Sequence, residues 1–316
     1  MIKSILNHPL YDYDKQKADL LKAIFPFCII IHHLAKYKLP GISIFDWIGV
    51  WVMYLFFAMS GYGLVISYIK KKDYINGFLR RSLPKLFIPY FITFILFTIY
   101  RFFDGMDLSA QINLFRSTDL MSFIPTSWFI YILSLFYLFF FVVFRYINSN
   151  IFFKVLLTSG LVIGYCLIAP HIGIAHWRYD KCPAFVVGMM FALFDNHKEK
   201  FVLWQVLLAM FAFFCLLSLS FGHWLDSLCY PFIMFFIMFI FPGGCVINNR
   251  IIKLFSSISL EMFIIQYIPI YLVMDHFPLE KSYFSTLIII FIVLVLDVLL
   301  AYMMRRTVCW SKCKYR

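Results

Sequence analysis

Long apolar runs recur along this chain of 316 residues, and they restrict its fold more than any other feature. A helix that crosses the roughly 30 Å hydrocarbon core of a bilayer needs about 17 to 25 apolar residues, the length at which these runs recur. Hydrophobic residues make up 63% of the chain and charged residues 14%. Soluble domains average about 45–50% and about 25%, and their interiors could not hide this much apolar surface. The sequence therefore predicts an all-α, multi-pass membrane protein.

The runs predict about ten transmembrane helices in a single polytopic bundle that covers residues 1–316. No stretch rich in Gly, Ser or Pro interrupts them as a domain linker would, and we expect no cleaved signal peptide. The eight cysteines show no metal-ligand spacing, so no metal site is predicted. The predicted spans are 20–35, 47–69, 86–103, 122–144, 152–169, 183–194, 201–221, 225–242, 254–274 and 284–304.

Positive charge alternates between the connecting segments. If the N-terminus is cytoplasmic, most of the 28 Lys and Arg residues lie in or beside segments on the cytoplasmic side. The positive-inside rule then predicts that both termini are cytoplasmic. The net charge of +12 is explained by this topology, so we expect the lipid bilayer as a partner and no nucleic acid.

The first apolar run carries a Lys and a His that share one face of the predicted helix. Lys22 and His33 lie eleven residues apart, which is 20° beyond three full turns and about 16 Å along the axis. Asp19 lies one turn before Lys22 on the same face and could pair with it. Ionisable groups within a membrane mark a functional site by default, although Lys22 snorkelling to the headgroups is the alternative. His32 points about 100° away from this face.

Two further motifs follow. The second run contains "FFAMSGYGL", whose small residues favour close helix packing. After it comes the basic stretch 70–85, which we interpret as a cytoplasmic loop. Its cations could attract anionic lipid or bind the phosphates of an anionic cofactor.

Together these motifs resemble the acyltransferase 3 family, integral membrane O-acyltransferases that modify bacterial surface polysaccharides and other extracytoplasmic acceptors. The family begins with a basic residue, ten further residues and a His, which Lys22 and His33 match, and Asp19 fills a common acidic position. Later motifs are similar in order: Phe56, Phe57, Ser60, Gly61 and Tyr62; Arg80, Arg81, Lys85, Leu86, Pro89 and Tyr90; Trp128 and Phe129; "CPAFVVGMMFAL"; and "SISLEMFIIQYIPIY".

The resemblance implies a membrane O-acyltransferase of the bacterial cytoplasmic (inner) membrane. It would move an acyl group, expected to be acetyl, from acyl-CoA to a hydroxyl of a surface polysaccharide or lipid-linked glycan. A neutral histidine suits the base that such a transfer needs. The expected catalytic residues are His33, Lys22 and Asp19; the acyl-CoA-binding residues are Arg80, Arg81 and Lys85; and the substrate-binding residues are Ser60, Tyr62, Trp128 and Glu261.

The chain departs from the family pattern at two positions. Lys22 stands where Arg is more frequent, which keeps the charge but loses the planar fork. Gln266 stands where the ninth-span motif usually has His. Two further acids, Glu261 and Asp297, lie within predicted spans, and pairing with a cation, orienting a histidine or direct catalysis all remain open for them.

A flippase or exporter of a lipid-linked saccharide is the alternative function. Intramembrane charges in such a machine would bind or relay without covalent chemistry. Transport would not demand the shared face of Lys22 and His33 or the Phe–Ser–Gly–Tyr element, so the enzyme is the favoured reading.

The topology can be tested with reporter fusions. We expect fusions after Lys72 and Lys181 to report opposite sides of the membrane, because the charge bias places Lys72 inside and Lys181 outside. Alkaline phosphatase and green fluorescent protein fusions at both positions provide the measurement. The same side at both positions would show that the span assignment is wrong.

Overall fold

A computed structural model of the protein describes residues 15–117, 123–196, 250–276 and 282–314. No β-strand occurs in these ranges. The helices are α1 (Lys15–Ala35), α2 (Ile48–Lys70), α3 (Phe78–Phe103), α4 (Leu108–Ser117), α5 (Ser127–Tyr146), α6 (Ile151–Ile168), α7 (His176–Tyr179), α8 (Pro183–Asn196), α9 (Arg250–Ile265), α10 (Tyr267–His276) and α11 (Tyr283–Lys314), with single 3₁₀ turns at Ser43–Phe45 and Ala169–Ile172.

Six helices in this part of the chain are long and apolar enough to cross a membrane. They are α1, α2 with the preceding 3₁₀ turn, α3, α5, α6 with the following turn, and α11. The bent pair α9 and α10 passes the same test as a seventh span. The all-helical membrane class is therefore confirmed. The total of about ten spans and the cytoplasmic termini stay predictions, since spans 201–221 and 225–242 lie outside the described residues.

The sequence predicts the start of the third span too late. Helix α3 begins at Phe78, eight residues before the predicted start at 86. The basic residues at 80–85 therefore belong to the first turns of a helix and not to a loop. Arg and Lys are good helix formers, so the helix continues past the end of the apolar run. The ninth span, predicted as one segment over 254–274, is instead two helices.

The described helices group into two compact units. The first contains α2 from Val50, α6, α7, α8 and the later part of α5, from Leu135 onward. The second contains α1 from Asp19 through Gly49 at the start of α2, α3 from Arg80, α4, the beginning of α5, and α9 to α11. We describe each unit by its own contacts.

Backbone-to-backbone proximity holds α2 and α8 together in the first unit. A Cβ added at Gly61 would overlap the carbonyl of Phe185, and one added at Gly188 would overlap the carbonyl of Ala58. Gly61, the first glycine of "FFAMSGYGL", therefore allows close helix packing, as small residues do in membrane bundles. Gly63, two residues later, meets nothing within 4 Å of an added Cβ.

This contrast gives a matched pair of variants. We expect Gly61→Ala to destabilise the protein by about 1–3 kcal/mol, because overpacking against backbone cannot be relieved by a side-chain rotation. Gly63→Ala should be neutral or slightly stabilising, since Ala is the better helix former. Thermal unfolding of the purified protein in one detergent measures both. Equal melting temperatures for the two variants would contradict the close α2–α8 contact.

Candidate active site

His33 of the second unit is hydrogen-bonded to a residue far away in the sequence. Its Nδ1 lies 2.9 Å from the Oη of Tyr267, the first residue of α10. The two ring centroids are 4.7 Å apart with a tilt of 47°, so the imidazole also packs against the phenol. His33 occupies the last turn of α1 and is partly exposed. The contact fixes the orientation of the imidazole through Nδ1, one of its two ring nitrogens.

A break in the ninth span places Tyr267 at this position. Pro269 has no backbone N–H, and its ring clashes with a helical carbonyl four residues earlier, that of Ile265. Helix α9 accordingly ends at Ile265, α10 begins at Tyr267, and the two axes differ by 54°. A bend at proline is the commonest cause of such a kink. Tyr267 is thus the first residue beyond the break.

Two side chains donate hydrogen bonds to backbone carbonyls beside the break. Gln266, which is fully buried, donates from Nε2 to the carbonyl of Phe263 at 2.8 Å. The hydroxyl of Thr126 donates to the carbonyl of Ile264 at 3.1 Å. Buried carbonyls in a membrane protein need such partners. Gln266, which stands where the family motif usually has His, therefore stabilises the backbone at the break.

His32 makes a different set of contacts from its neighbour. It is buried, and its Nδ1 lies 3.7 Å from the Oδ1 of Asp46. A Cβ added at Gly49, near the start of α2, would overlap the His32 ring. His32 is therefore a packed side chain, whereas His33 is the histidine held by a phenol.

Asp19 and Lys22 lie on the earlier turns of the same helix. The Oδ1 of Asp19 accepts a hydrogen bond of 2.9 Å from the hydroxyl of Ser256 on α9. Lys22 is partly exposed, and α1 is a single helix through Pro26. The axial rise of about 16 Å between Lys22 and His33 therefore applies. The pairing of Asp19 with Lys22 stays a prediction.

The three expected donor-binding cations are exposed on the first turns of α3. Arg80, Arg81 and Lys85 lie on one helix that also contains Pro84, and Arg81 and Lys85 are four residues apart on one face. Tyr100, near the other end of α3, is about 29 Å from Arg81 along the helix axis. The basic turns and Tyr100 therefore occupy opposite ends of this helix.

The structure gives Glu261 a partner. This carboxylate on α9 is 1% exposed, and its Oε1 lies 3.0 Å from the Nη1 of Arg305 on α11. Of the three roles left open for Glu261, pairing with a cation of the bundle is the one observed. Its contact with substrate stays a prediction. Asp297 differs, because it is fully buried and neither carboxyl oxygen has a hydrogen-bond partner among the described residues.

The remaining expected substrate contacts are spread over both units. Trp128 is buried at the beginning of α5 in the second unit. Ser60 and Tyr62 belong to α2 in the first unit, where Ser60 is hydrogen-bonded to Tyr137 and the Tyr62 ring lies 6.1 Å from that of Phe191. These contacts explain how the side chains pack. Substrate binding by the three residues stays a prediction.

Sequence reasoning missed Tyr267. A proline inside the apolar run of the ninth span was the available signal, because it predicts a break just before it and a change of helix direction there. That signal does not show that Tyr267, at the beginning of the second helix, contacts His33.

Comparison with known proteins identifies the family of the chain. A family model described as the acyltransferase domain of the acyltransferase 3 family matches residues 16–306, which is nearly the whole chain. No curated protein and no solved structure matches the chain significantly. The chain belongs to the acyltransferase 3 family and is a membrane acyltransferase.

Proposed function

We propose that the protein is an O-acyltransferase that moves an acetyl group from acetyl-CoA to a saccharide hydroxyl, with His33 as the general base. The observation that carries the proposal is the hydrogen bond between His33 Nδ1 and Tyr267 Oη. A general base must be held within reach of the proton that it removes, and histidine is the commonest such base. The phenol of Tyr267 fixes the orientation of the His33 ring, as a general base requires, and family membership supports acyl transfer.

The hydrogen bond suits both protonation states of the base. In one neutral tautomer Nδ1–H donates to the phenol oxygen and Nε2 keeps a lone pair. After Nε2 has taken the proton of the acceptor hydroxyl, Nδ1–H still donates to the same oxygen. Tyr267 therefore orients the base before and after proton transfer without any rearrangement.

In the direct form of the reaction, the acceptor oxygen attacks the thioester carbonyl as its proton passes to His33. The carbon–sulfur bond breaks, and the CoA sulfur leaves and takes the proton back from the imidazolium. The products are the acetyl ester and CoA–SH, and the histidine returns to its neutral form. The cycle requires no group other than the two substrates and the base.

We infer that the donor approaches from the Asp19 end of the second unit. Arg80, Arg81 and Lys85 are exposed cations on the first turns of α3, and Arg can hold phosphate oxygens in bidentate geometry. Lys22 lies on the α1 face that leads to His33. The hydrogen bond from Ser256 to Asp19 secures the beginning of that face against α9.

We propose a bacterial cytoplasmic membrane and a surface polysaccharide or lipid-linked glycan as the setting and acceptor, as the family resemblance implies. The family assignment and the contacts described above favour group transfer. No observation favours saccharide export without chemistry, so export is not proposed.

The test of this function is His33→Ala. We expect loss of acetyl transfer by at least about 10²-fold, because general base catalysis contributes about 10²–10⁴-fold. Acetyl content of surface polysaccharide, measured by NMR and mass spectrometry in cells that lack the native gene and express each variant, provides the readout. Membrane levels are matched by immunoblot. A His33→Ala variant that acetylates at nearly the normal rate would exclude His33 as the base.

Three matched variants separate chemistry from packing. Tyr267→Phe keeps the stacked ring but removes the oxygen, so transfer should fall while stability changes little. His32→Ala should lower stability more than transfer, because His32 packs beneath Gly49. Lys22→Arg should keep activity, whereas Lys22→Ala should not. Equal losses of transfer in His32→Ala and His33→Ala would contradict the assignment.

Donor binding is tested by neutralising Arg80, Arg81 and Lys85 to Gln together. We expect acetyl-CoA affinity to fall by about tenfold or more, because charge-assisted hydrogen bonds to phosphate contribute about 1.5–3 kcal/mol each. Isothermal titration of the purified protein with acetyl-CoA measures the affinity.

A second triple variant carries the same loss of charge as a control. Lys70, Lys71 and Lys72 lie in the basic stretch but at the end of α2 and in the following turn. Changing all three to Gln should have the smaller effect if the helical positions of α3 bind the phosphates. Equal losses in the two triples would indicate a diffuse electrostatic effect and no defined donor site.

A further inference from the structure

Helix α10 presents two tyrosines and a carboxylate along one face. Tyr267, Tyr271 and Asp275 recur at every fourth position, which places them one above another on a helix surface. The Tyr267 and Tyr271 ring centroids are 5.3 Å apart. Asp275 is exposed, whereas both tyrosines are half-buried. The face therefore extends from the Tyr267–His33 contact to the solvent-exposed carboxylate.

Two tyrosines from other elements of the same unit complete the group. The Tyr100 ring on α3 is stacked on Tyr271 at 6.4 Å with a 25° tilt. Its hydroxyl donates to the Oδ2 of Asp275 at 3.4 Å. Tyr37, in the turn after α1, lies near Tyr271 and Asp275, and burial beside them raises its pKa to about 12. We call Tyr37, Tyr100, Tyr267, Tyr271 and Asp275 the tyrosine cluster.

Two carboxylates, those of Asp275 and Asp104, lie at this end of the unit and disfavour an anionic ligand beside them. Arg101 lies near Tyr271, but its guanidinium stacks on the rings of Phe97 and Phe123 and donates to the Phe123 carbonyl at 2.9 Å. Asp104 contributes a second carboxylate 3.6 Å from His276. A phosphate or carboxylate on the ligand would meet two acidic side chains at this end of the unit. Like-charge juxtaposition excludes wrong partners effectively.

We propose that the tyrosine cluster is the binding site for the saccharide acceptor and selects a neutral sugar ring over an anionic one. Phenols suit this ligand, because each offers an apolar ring for C–H faces and one hydroxyl that donates or accepts. The Asp275 carboxylate accepts hydrogen bonds from sugar hydroxyls. Tyr267 belongs both to this site and to His33, so a bound hydroxyl lies next to the base. The inference rests on the proposed function, whose acceptor it specifies.

A neighbouring face of α10 provides a control position for the variants of the tyrosine cluster. Ile268, Leu272 and His276 line a groove of about 300 Å³ with Leu96, Ile99 and Leu300 of α3 and α11. Tyr100, Phe103 and Asp104 also line this groove, so it is mostly apolar and adjoins the tyrosine cluster at Tyr100. Leu272 lies one residue from Tyr271 on the same helix but contributes only an apolar side chain to this groove, so it serves as the matched control.

The experiment uses the full chain in lipid nanodiscs with [1-¹⁴C]acetyl-CoA as donor. The acceptor probes are the methyl glycosides of glucose, galactose and mannose, and the anionic methyl glycosides of glucuronic and galacturonic acid. Two rates are measured: release of CoA with water alone as acceptor, and formation of labelled glycoside. The first depends on the donor and His33, and the second depends also on the acceptor site.

We expect Tyr271→Phe, Tyr100→Phe and Asp275→Asn each to raise the KM for the neutral glycosides by about fivefold or more, the value of one lost hydrogen bond. Release of CoA to water should stay within twofold of wild type. Asp275→Asn should also raise the use of the uronic acid glycosides relative to the neutral ones. Leu272→Ala should change neither rate.

Each outcome decides the inference. Unchanged KM values in all three variants, or uronic acid glycosides preferred by the wild type, would overturn it. A wild-type protein that releases CoA to water but labels none of the glycosides would also overturn it, while leaving the proposed donor chemistry in place. CoA release, to water and to the glycosides alike, that is unaltered by His33→Ala would reject the proposed function, and the acceptor site with it.

Discussion

The missing N–H of Pro269 is the constraint on which the candidate site depends. A continuous helix through the ninth span would carry residues 267–276 along the axis of α9. The 54° break turns α10 instead, and Tyr267 at its beginning meets the end of α1 at His33. Gln266 and Thr126 then satisfy carbonyls around the break. A backbone defect that would be costly in lipid is thus stabilised by two side chains and used to orient an imidazole.

The ionisable residues within the second unit are mostly held by specific partners. Asp19 accepts from Ser256, and Glu261 pairs with Arg305. A buried ion pair contributes little net stability, because desolvation offsets most of the attraction, so its main effect is to specify which helices pair. Here both contacts join α9 to another helix, which holds α9 in place up to the break. Asp297 has no such partner in the described residues, and we have no physical account of it.

The sequence predicted some of this and could not predict the rest, for identifiable reasons. Helical periodicity is local, so it correctly placed Lys22 and His33 on one helix, and the apolar runs located α1, α2, α6 and α11. The apolar run failed at α3, where the helix continues into Arg80 and Arg81, because hydropathy measures fit to lipid and not helix formation. The bond between His33 and Tyr267 joins residues 234 positions apart, and no spacing rule relates such residues.

Gln266 explains why the proposed reaction relies on one imidazole. The corresponding family position commonly holds a histidine, a group that could itself accept a proton. An amide does not titrate, and this one is fully buried with its nitrogen committed to the Phe263 carbonyl. His32 is packed between Gly49 and Asp46. His33 is therefore the histidine of the described second unit that combines partial exposure with a hydrogen-bonded phenol. Proton transfer in the proposed reaction then rests on the His33–Tyr267 pair. Gln266, next to Tyr267, contributes by donating a hydrogen bond to a carbonyl beside the helix break.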